Sequence, residues 1–259
     1  MGSLWLSELP DWFEDAGLEV RCWDGWETRS RSSGGYTQLW GAIVHHTASN
    51  TSPDNDCSYM WDATSGDQPI GALLLERSGR VTIGAAGATN CAGKGGPLAT
   101  SKGTIPADSG NSYAFNIEAA NNGVGETWPD DQQDAYTILV ACLCDHLDLD
   151  SARDVVSHFE WAPDRKIDPA GNSRYASGGD KWDMDAFRTD CIVGTPTPTP
   201  PEEDELTEEQ MNDLVERTAQ RTMNLVWSRQ TTDPGAGDQA STLEILQRTS
   251  KNAKTAAGN

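Results

Sequence analysis

The sequence predicts a domain in which a central β-sheet is covered by helices, of the α/β or the α+β class, followed by a helical tail. Short apolar runs of strand type alternate with amphipathic helical patterns along residues 1–192. Ten Trp and five Tyr side chains need a core in which to be buried. A Thr-Pro run then separates this part from residues of helical pattern.

The first predicted elements are a helix and a buried strand. Residues 3–17 have the spacing of a short amphipathic helix. Three apolar residues share its inner face: Leu6, Leu9 and Trp12. Residues 41–44 form an apolar run typical of a buried strand, and this strand ends at His45 and His46.

The next predicted elements are a β-hairpin and a further strand. Residues 72–76 and 81–83 are apolar runs separated by the turn Arg77-Ser-Gly-Arg80, which is typical of a hairpin. Residues 113–118 predict another strand, and residues 121–123 close it.

A long helix and a short strand complete the domain. Pro129 opens the helix, as proline often does in a first helical turn. Its apolar face is formed by Ala135, Ile138, Leu139, Cys142 and His146. We therefore expect His146 at the edge of the core. Residues 155–157 predict a short strand that leads directly to His158.

The domain boundaries are predicted at 1–192 for the folded domain, 193–205 for a Thr/Pro-rich acidic linker and 206–259 for a helical C-terminal region. Thr207 and Gln210 have the spacing of a helix cap. A helix of this length needs a partner for its apolar stripe. Aromatic-rich repeats are missing from the tail, so self-association or docking through these helices is favoured over binding to a cell wall.

Composition excludes several classes of function. The net charge of −21 repels phosphate backbones, so no nucleic-acid partner is expected. No apolar run approaches the roughly 18 residues that a bilayer helix needs, so no membrane insertion is expected. The N-terminal residues are acidic where a secretion signal is basic, which predicts a soluble protein made without an export signal.

Six cysteines are present, and free thiols are the expected state. No CxxC pair occurs, and Cys142 and Cys144 face different directions on a helix. A zinc cluster built from cysteines is therefore not predicted.

Histidines and one carboxylate are candidates for a metal site. His45 and His46 point to opposite faces if their strand continues through them, so at most one of them enters a site. His158 ends a strand, and Asp168 follows ten residues later beyond a loop that contains Pro163. Two imidazoles and one carboxylate leave a fourth position open for water, which is the pattern of hydrolytic zinc.

Two further residues are candidates for proton transfer and charge stabilisation. Glu118 lies at the end of its predicted strand, where a carboxylate beside a metal site can act as a general base. Lys166 lies two residues before Asp168, where a cation can stabilise an oxyanion. For each residue alone, a solvated surface side chain is the simpler interpretation.

Five ordered motifs between residues 5 and 190 carry a family resemblance. They are Val44-His-His-Thr-Ala-Ser49, Asn90-Cys-Ala-Gly-Lys-Gly-Gly96, Asn116-Ile-Glu118, Thr127-Trp-Pro129 and the segment His158–Pro169. Together they resemble the zinc-dependent N-acetylmuramoyl-L-alanine amidases of the amidase-2 family, which are related to peptidoglycan recognition proteins and common in phage endolysins. The residues up to Trp40 resemble the N-terminal part of endolysins from phages of actinobacteria.

The resemblance implies an α/β fold with a central mixed sheet flanked by helices, and a set of site residues. It implies one zinc ion with three ligands: His45, His158 and Asp168. Glu118 matches the catalytic carboxylate, and Lys166 matches the residue that steadies the tetrahedral intermediate. His46 falls outside the metal set. Cys91 stands where family members commonly have histidine, at a position that is not a zinc ligand.

The function implied is hydrolysis of the amide between N-acetylmuramic acid and the L-alanine of the peptidoglycan stem peptide. An alternative is a peptidoglycan-binding module of the same fold without catalysis, and a further one is a zinc amidase that acts on another amide. The resemblance also implies synthesis in a host cytoplasm and holin-dependent release to the cell wall.

Overall fold

The computed structural model describes residues 4–64 and 66–193. Val193 ends the last described helix. The rest of the predicted linker, residues 194–205, and the predicted helical region 206–259 lie outside the described residues.

The described strands and helices follow one another in a mixed order along the chain. The strands are β1 Val20–Cys22, β2 Gly41–His46, β3 Leu73–Leu75, β4 Val81–Ile83, β5 Leu98–Ala99, β6 Thr104–Ile105, β7 Ala114–Ala119 and β8 Val155–Ser157. The α-helices are α1 Leu9–Asp15, α2 Pro53–Cys57, α3 Gly110–Tyr113, α4 Asp130–Leu147, α5 Ser151–Asp154, α6 His158–Trp161 and α7 Met184–Val193. A 3-10 turn at Trp26–Thr28 and a π turn at Ser58–Asp62 complete the set.

Six strands form one mixed sheet in the order β1-β4-β3-β7-β2-β8. Strand β2 lies between β7 and β8 and is parallel to both, and β3 is parallel to β7. Strands β3 and β4 are antiparallel, as the predicted hairpin requires. The predicted α/β fold with a central mixed sheet flanked by helices is confirmed for the described residues.

The two faces of the sheet pack against different clusters. Ala42 and Val44 of β2 join the large core, which also contains residues of α4 and α7. Ile43 faces the other side and packs in a smaller cluster with Ala92 and Trp161. Every residue of β2 and β7 is buried, so the polar side chains on these strands need internal partners.

The N-terminal helix is shorter than predicted. Helix α1 covers Leu9–Asp15 and has a proline in its first turn, where a missing N–H costs nothing. Leu4 instead pairs with Tyr36 in an isolated antiparallel bridge with two backbone hydrogen bonds of 2.9 Å. The prediction of a helix from residue 3 was wrong. The same apolar spacing is compatible with an extended segment that pairs with a distant part of the chain before the helix begins.

The long helix α4 begins directly after Pro129, as predicted, and ends at Leu147. His146 near its end is exposed and stacks on Trp12, with ring centroids 4.5 Å apart. The expectation of a core-edge histidine is corrected to a surface stacking contact. Among the described residues, no helix is long and apolar enough to cross a membrane.

Candidate active site

The candidate site lies at the carboxyl ends of three adjacent parallel strands. His45 is the last residue but one of β2, and Glu118 is its register partner on β7. His158 follows β8 directly as the first residue of α6. Side chains at the carboxyl ends of parallel strands meet at one edge of a sheet, which is where open α/β sheets bind ligands.

A helix cap fixes the position of His158. The Ser157 hydroxyl accepts a hydrogen bond from the Glu160 backbone N–H at 3.1 Å, and a Glu160 carboxylate oxygen accepts one from the Ser157 N–H at 2.8 Å. This capping box turns the chain sharply from strand to helix. Glu160 is held in turn by Arg188 at 3.1 Å.

Asp168 returns to the site through the loop that follows α6. Its backbone carbonyl accepts a hydrogen bond from the Phe159 N–H at 3.1 Å, which ties the end of the loop to its start. Two residues later, the Ala170 N–H donates to Nδ1 of His46 at 3.1 Å. His46 therefore supports this loop from the opposite face of β2, and its ring is not part of the His45 cluster.

Three atoms that could ligate a metal ion converge in the interior of the site. His45 Nδ1 lies 2.8 Å from His158 Nδ1 and 3.1 Å from Asp168 Oδ2. His158 Nδ1 lies 2.9 Å from the same carboxylate oxygen. Relative exposures are 0% for His45, 2% for His158 and 7% for Asp168, so solvent contributes little to these contacts. The structure thus brings together the three residues that the resemblance implies as ligands.

The outer nitrogens of both imidazoles determine which nitrogens carry lone pairs. His158 Nε2 faces the Ala92 carbonyl at 3.0 Å, and because a carbonyl only accepts, this nitrogen carries a proton. Arg165 donates to the same carbonyl at 2.6 Å. His45 Nε2 faces the side-chain amide of Asn116 at 3.1 Å. The facing atom is the amide oxygen Oδ1, because the amide nitrogen donates to the Ala114 carbonyl at 3.0 Å. His45 Nε2 therefore also carries a proton.

With both Nε2 atoms protonated, neutral rings direct two Nδ1 lone pairs and one carboxylate lone pair at one point. Three acceptors within 3.1 Å of one another repel unless a cation or a proton lies between them. Imidazole nitrogens and carboxylate oxygens are common zinc ligands. The described residues therefore fit a divalent metal ion.

The electrostatics of the cluster agree with a site for positive charge. Burial lowers the pKa of His158 to about 4, so this ring is neutral near pH 7. Burial alone would raise the pKa of Asp168, but its close contacts with His158 and His45 outweigh burial and lower it, so the carboxylate is ionised. Burial lowers the pKa of His45, but the nearby carboxylate of Asp168 leaves it raised overall.

Glu118 lies beside this cluster, and only one of its two carboxylate oxygens accepts a hydrogen bond. The Cys91 thiol donates to Oε1 at 3.0 Å. Oε2 is buried and has no hydrogen-bond partner among the described residues. Burial raises the pKa of Glu118, while the nearby His45, the Cys91 hydrogen bond and the charge of Lys166 act against the rise.

A cavity of about 550 Å³ has Glu118 in its wall. The other lining residues are Thr47, Ala48, Ser49, Asn50, Thr51, Asn55, Asp56, Tyr59, Met60 and Ile70. Most of these residues come from the loop after β2 and from α2 and the π turn that follows it, and Ile70 lies shortly before β3. Glu118 is the residue that this cavity shares with the candidate site.

Asn111 holds the segment that carries Cys91. Its side-chain oxygen accepts hydrogen bonds from the Cys91 N–H at 2.9 Å and the Ala92 N–H at 2.8 Å. The segment therefore presents the Cys91 thiol to Glu118 and the Ala92 carbonyl to His158. No pattern in the sequence singles out Asn111 or the Ala92 carbonyl, because their roles depend on contacts between distant segments.

Lys166 is half-buried near the same groups. Its positive charge is among the causes that lower the pKa of Glu118, of His158 and of Cys91. No ion pair of Lys166 occurs within residues 4–64 and 66–193. An ammonium group near the cluster is thus available to a negative charge that develops in the site.

Comparison with known proteins adds a sequence-level match. A family described as N-acetylmuramoyl-L-alanine amidase matches residues 35–171, which is more than half of the chain and includes the whole cluster. No curated protein matches the chain significantly.

Several solved structures are similar at low identity. The endolysin N-acetylmuramoyl-L-alanine amidase LysCS from Clostridium intestinale URNW is 15% identical, with 61% of this chain and 90% of that chain covered and a TM-score of 0.39. A selenomethionine AmpD derivative is 15% identical, with 68% and 97% covered and a TM-score of 0.47. The PlyG catalytic domain is 16% identical, with 71% and 99% covered and a TM-score of 0.46.

Proposed function

Since the chain belongs to the N-acetylmuramoyl-L-alanine amidase family, we propose that it hydrolyses the peptidoglycan amide between the lactyl group of N-acetylmuramic acid and the L-alanine of the stem peptide. The observation that carries this proposal is the convergence of three buried lone pairs beside a carboxylate with a free oxygen. Such a pair of features suits a metal-assisted amide hydrolysis.

We assign zinc to the cluster of His45, His158 and Asp168. Two nitrogens and one carboxylate oxygen are the donor set of many catalytic zinc sites, which keep a further position open. A zinc ion held there would supply positive charge that polarises the scissile carbonyl and acidifies a water molecule. Asn116 and the Ala92 carbonyl hold the two rings in the tautomers that this binding needs.

Glu118 is the proposed general base. Oε2 is free to accept the proton of the attacking water, because the Cys91 thiol occupies Oε1. The same carboxyl group then donates that proton to the leaving amine. The raised pKa of Glu118 suits both steps, since a more basic carboxylate accepts a proton more readily near neutral pH.

Lys166 is the proposed partner of the oxyanion. As water adds to the carbonyl carbon, negative charge develops on the carbonyl oxygen. The positive charge of Lys166 acts to lower the pKa of Glu118 and of His158. Lys166 has no carboxylate partner in the described part of the chain. Its ammonium group stabilises that charge.

The proposal extends to a role as a phage endolysin that reaches the wall after holin-dependent release. This extension is supported by the order of the motifs and by the N-terminal residues up to Trp40. The proposed catalytic domain is residues 1–192, joined by linker 193–205 to the region 206–259.

Mass spectrometry of peptidoglycan fragments tests the function. Purified protein should release fragments with new L-alanine N-termini and intact glycan strands, and the Glu118→Gln variant should not. Wall binding without cleavage would identify a non-catalytic peptidoglycan-binding module. Cleavage at another amide would keep the enzyme class and refute the proposed bond.

A further inference from the structure

We propose that Cys91 and Glu118 form a second, weaker binding site for a thiophilic divalent cation, next to the His45–His158–Asp168 cluster. The site follows from the Cys91–Glu118 contact, and only its effect on activity rests on the proposed function. An ion bound there would block hydrolysis by occupying Glu118.

The geometry places suitable donors together. Cys91 Sγ lies 3.0 Å from Glu118 Oε1, and Glu118 Oε2 is buried and without a partner. Donor atoms of Cys91, Glu118 and His45 all lie within 4.8 Å of one another. Because His45 Nδ1 faces the first cluster, the second ion would have two protein donors of its own, and water would complete its coordination.

Both residues of the pair lie close to solvent-exposed parts of the structure. Glu118 is in the wall of the 550 Å³ cavity, which also supplies room for coordinated water. Cys91 is partly exposed, whereas four other cysteines are buried: Cys57, Cys142, Cys144 and Cys191. Cys22 is exposed but belongs to no group of potential metal ligands among the described residues.

The chemistry of the pair selects soft cations. A thiolate binds zinc, cobalt or cadmium far better than magnesium or calcium. On binding, the S–H bond is replaced by a sulfur–metal bond, and the thiol proton passes to solvent. The cation then neutralises two adjacent negative groups, the thiolate and the buried Glu118 carboxylate.

The expected consequence is inhibition by excess metal. A carboxylate that ligates a cation cannot accept the proton of the attacking water. The first ion would therefore support activity and a second would suppress it. With two protein donors instead of three, the second site fills only at higher metal concentration.

Cobalt(II) titration of the metal-free protein tests the site without relying on activity. The first cluster has no sulfur, so a thiolate-to-cobalt absorption band in the near ultraviolet reports the second site alone. We expect the band in the wild type and in the matched control Cys22→Ser. It should persist in His158→Ala, which damages only the first cluster, and disappear in Cys91→Ser.

Cadmium(II) inhibition of the zinc-loaded protein completes the test. Removing a residue that only supports a metal ligand typically weakens metal binding by about tenfold or more, and removing a ligand itself should weaken it at least as much. The Cys91→Ser variant should therefore need at least about tenfold more cadmium for half inhibition. A cobalt band in a protein without amidase activity would support the site and refute the proposed function. Absence of the band in the wild type, or an unchanged band in Cys91→Ser, would overturn the site even in an active amidase.

Discussion

Asn116→Ala tests how the second layer of the site controls metal binding. Asn116 Oδ1 is the acceptor that the described residues offer to His45 Nε2, at 3.1 Å. Without it, the Nε2–H is buried and unpaired, which costs about 1–3 kcal/mol. The ring can avoid this cost by moving its proton to Nδ1, the atom that should ligate zinc.

The size of the effect follows from this competition between tautomers. Supporting partners of metal-bound histidines contribute about 10–100-fold to metal affinity. We therefore expect Asn116→Ala to weaken zinc binding by that factor, which corresponds to about 1.4–2.8 kcal/mol. Saturating zinc should restore most of the catalytic rate, because Glu118 and Lys166 are unchanged.

Zinc competition against a chromophoric chelator measures the affinity. Gln132→Ala is a matched control, since Gln132 is also a buried amide and hydrogen-bonds the carbonyls of Leu75 and Ala120 at 3.2 and 2.9 Å, not a histidine. The control should lose stability but keep its zinc affinity. Asn116→Ala with wild-type zinc affinity would refute the assigned tautomer of His45.

Three further predictions address the reaction and the tail. Glu118→Gln should keep zinc and lose about 10²–10⁴-fold in kcat, because an amide cannot accept the proton of water, and an active variant would mean that another group is the base. Lys166→Met should move the acid limb of the kcat/KM–pH profile to higher pH, because the Lys166 charge lowers the pKa of Glu118 and its removal raises it; an unmoved limb contradicts this coupling. A chain shortened to residues 1–195 should keep amidase activity on soluble fragments and sediment as a smaller assembly than the full chain. An unchanged assembly with lost sedimentation on cell walls would instead make the tail a targeting element.

Strand alternation predicted one feature of the site, that at most one of His45 and His46 enters it, while the family resemblance implied which one. Alternation placed His45 and His46 on opposite faces of β2, and the structure has His45 in the cluster and His46 beneath the loop that carries Asp168. This prediction held because it depends on neighbours within one strand.

Contacts between distant segments could not be predicted from local sequence patterns. Strand register brings Glu118 beside His45, and Asn111 aims Cys91 at Glu118, yet no local pattern encodes either pairing. The N-terminal helix was overextended for the same reason, since Leu4 is held by Tyr36, far along the chain. Local periodicity predicts elements, whereas the partner that captures a short segment depends on the whole fold.

The zinc content of purified His45→Ala and His46→Ala proteins tests the central claim most directly. The two residues are adjacent and both buried, so the pair controls for loss of a buried histidine from β2. We expect one zinc per chain in the wild type and in His46→Ala, and none in His45→Ala. Equal zinc content in the wild type and His45→Ala would contradict the assignment of the metal to the His45–His158–Asp168 cluster.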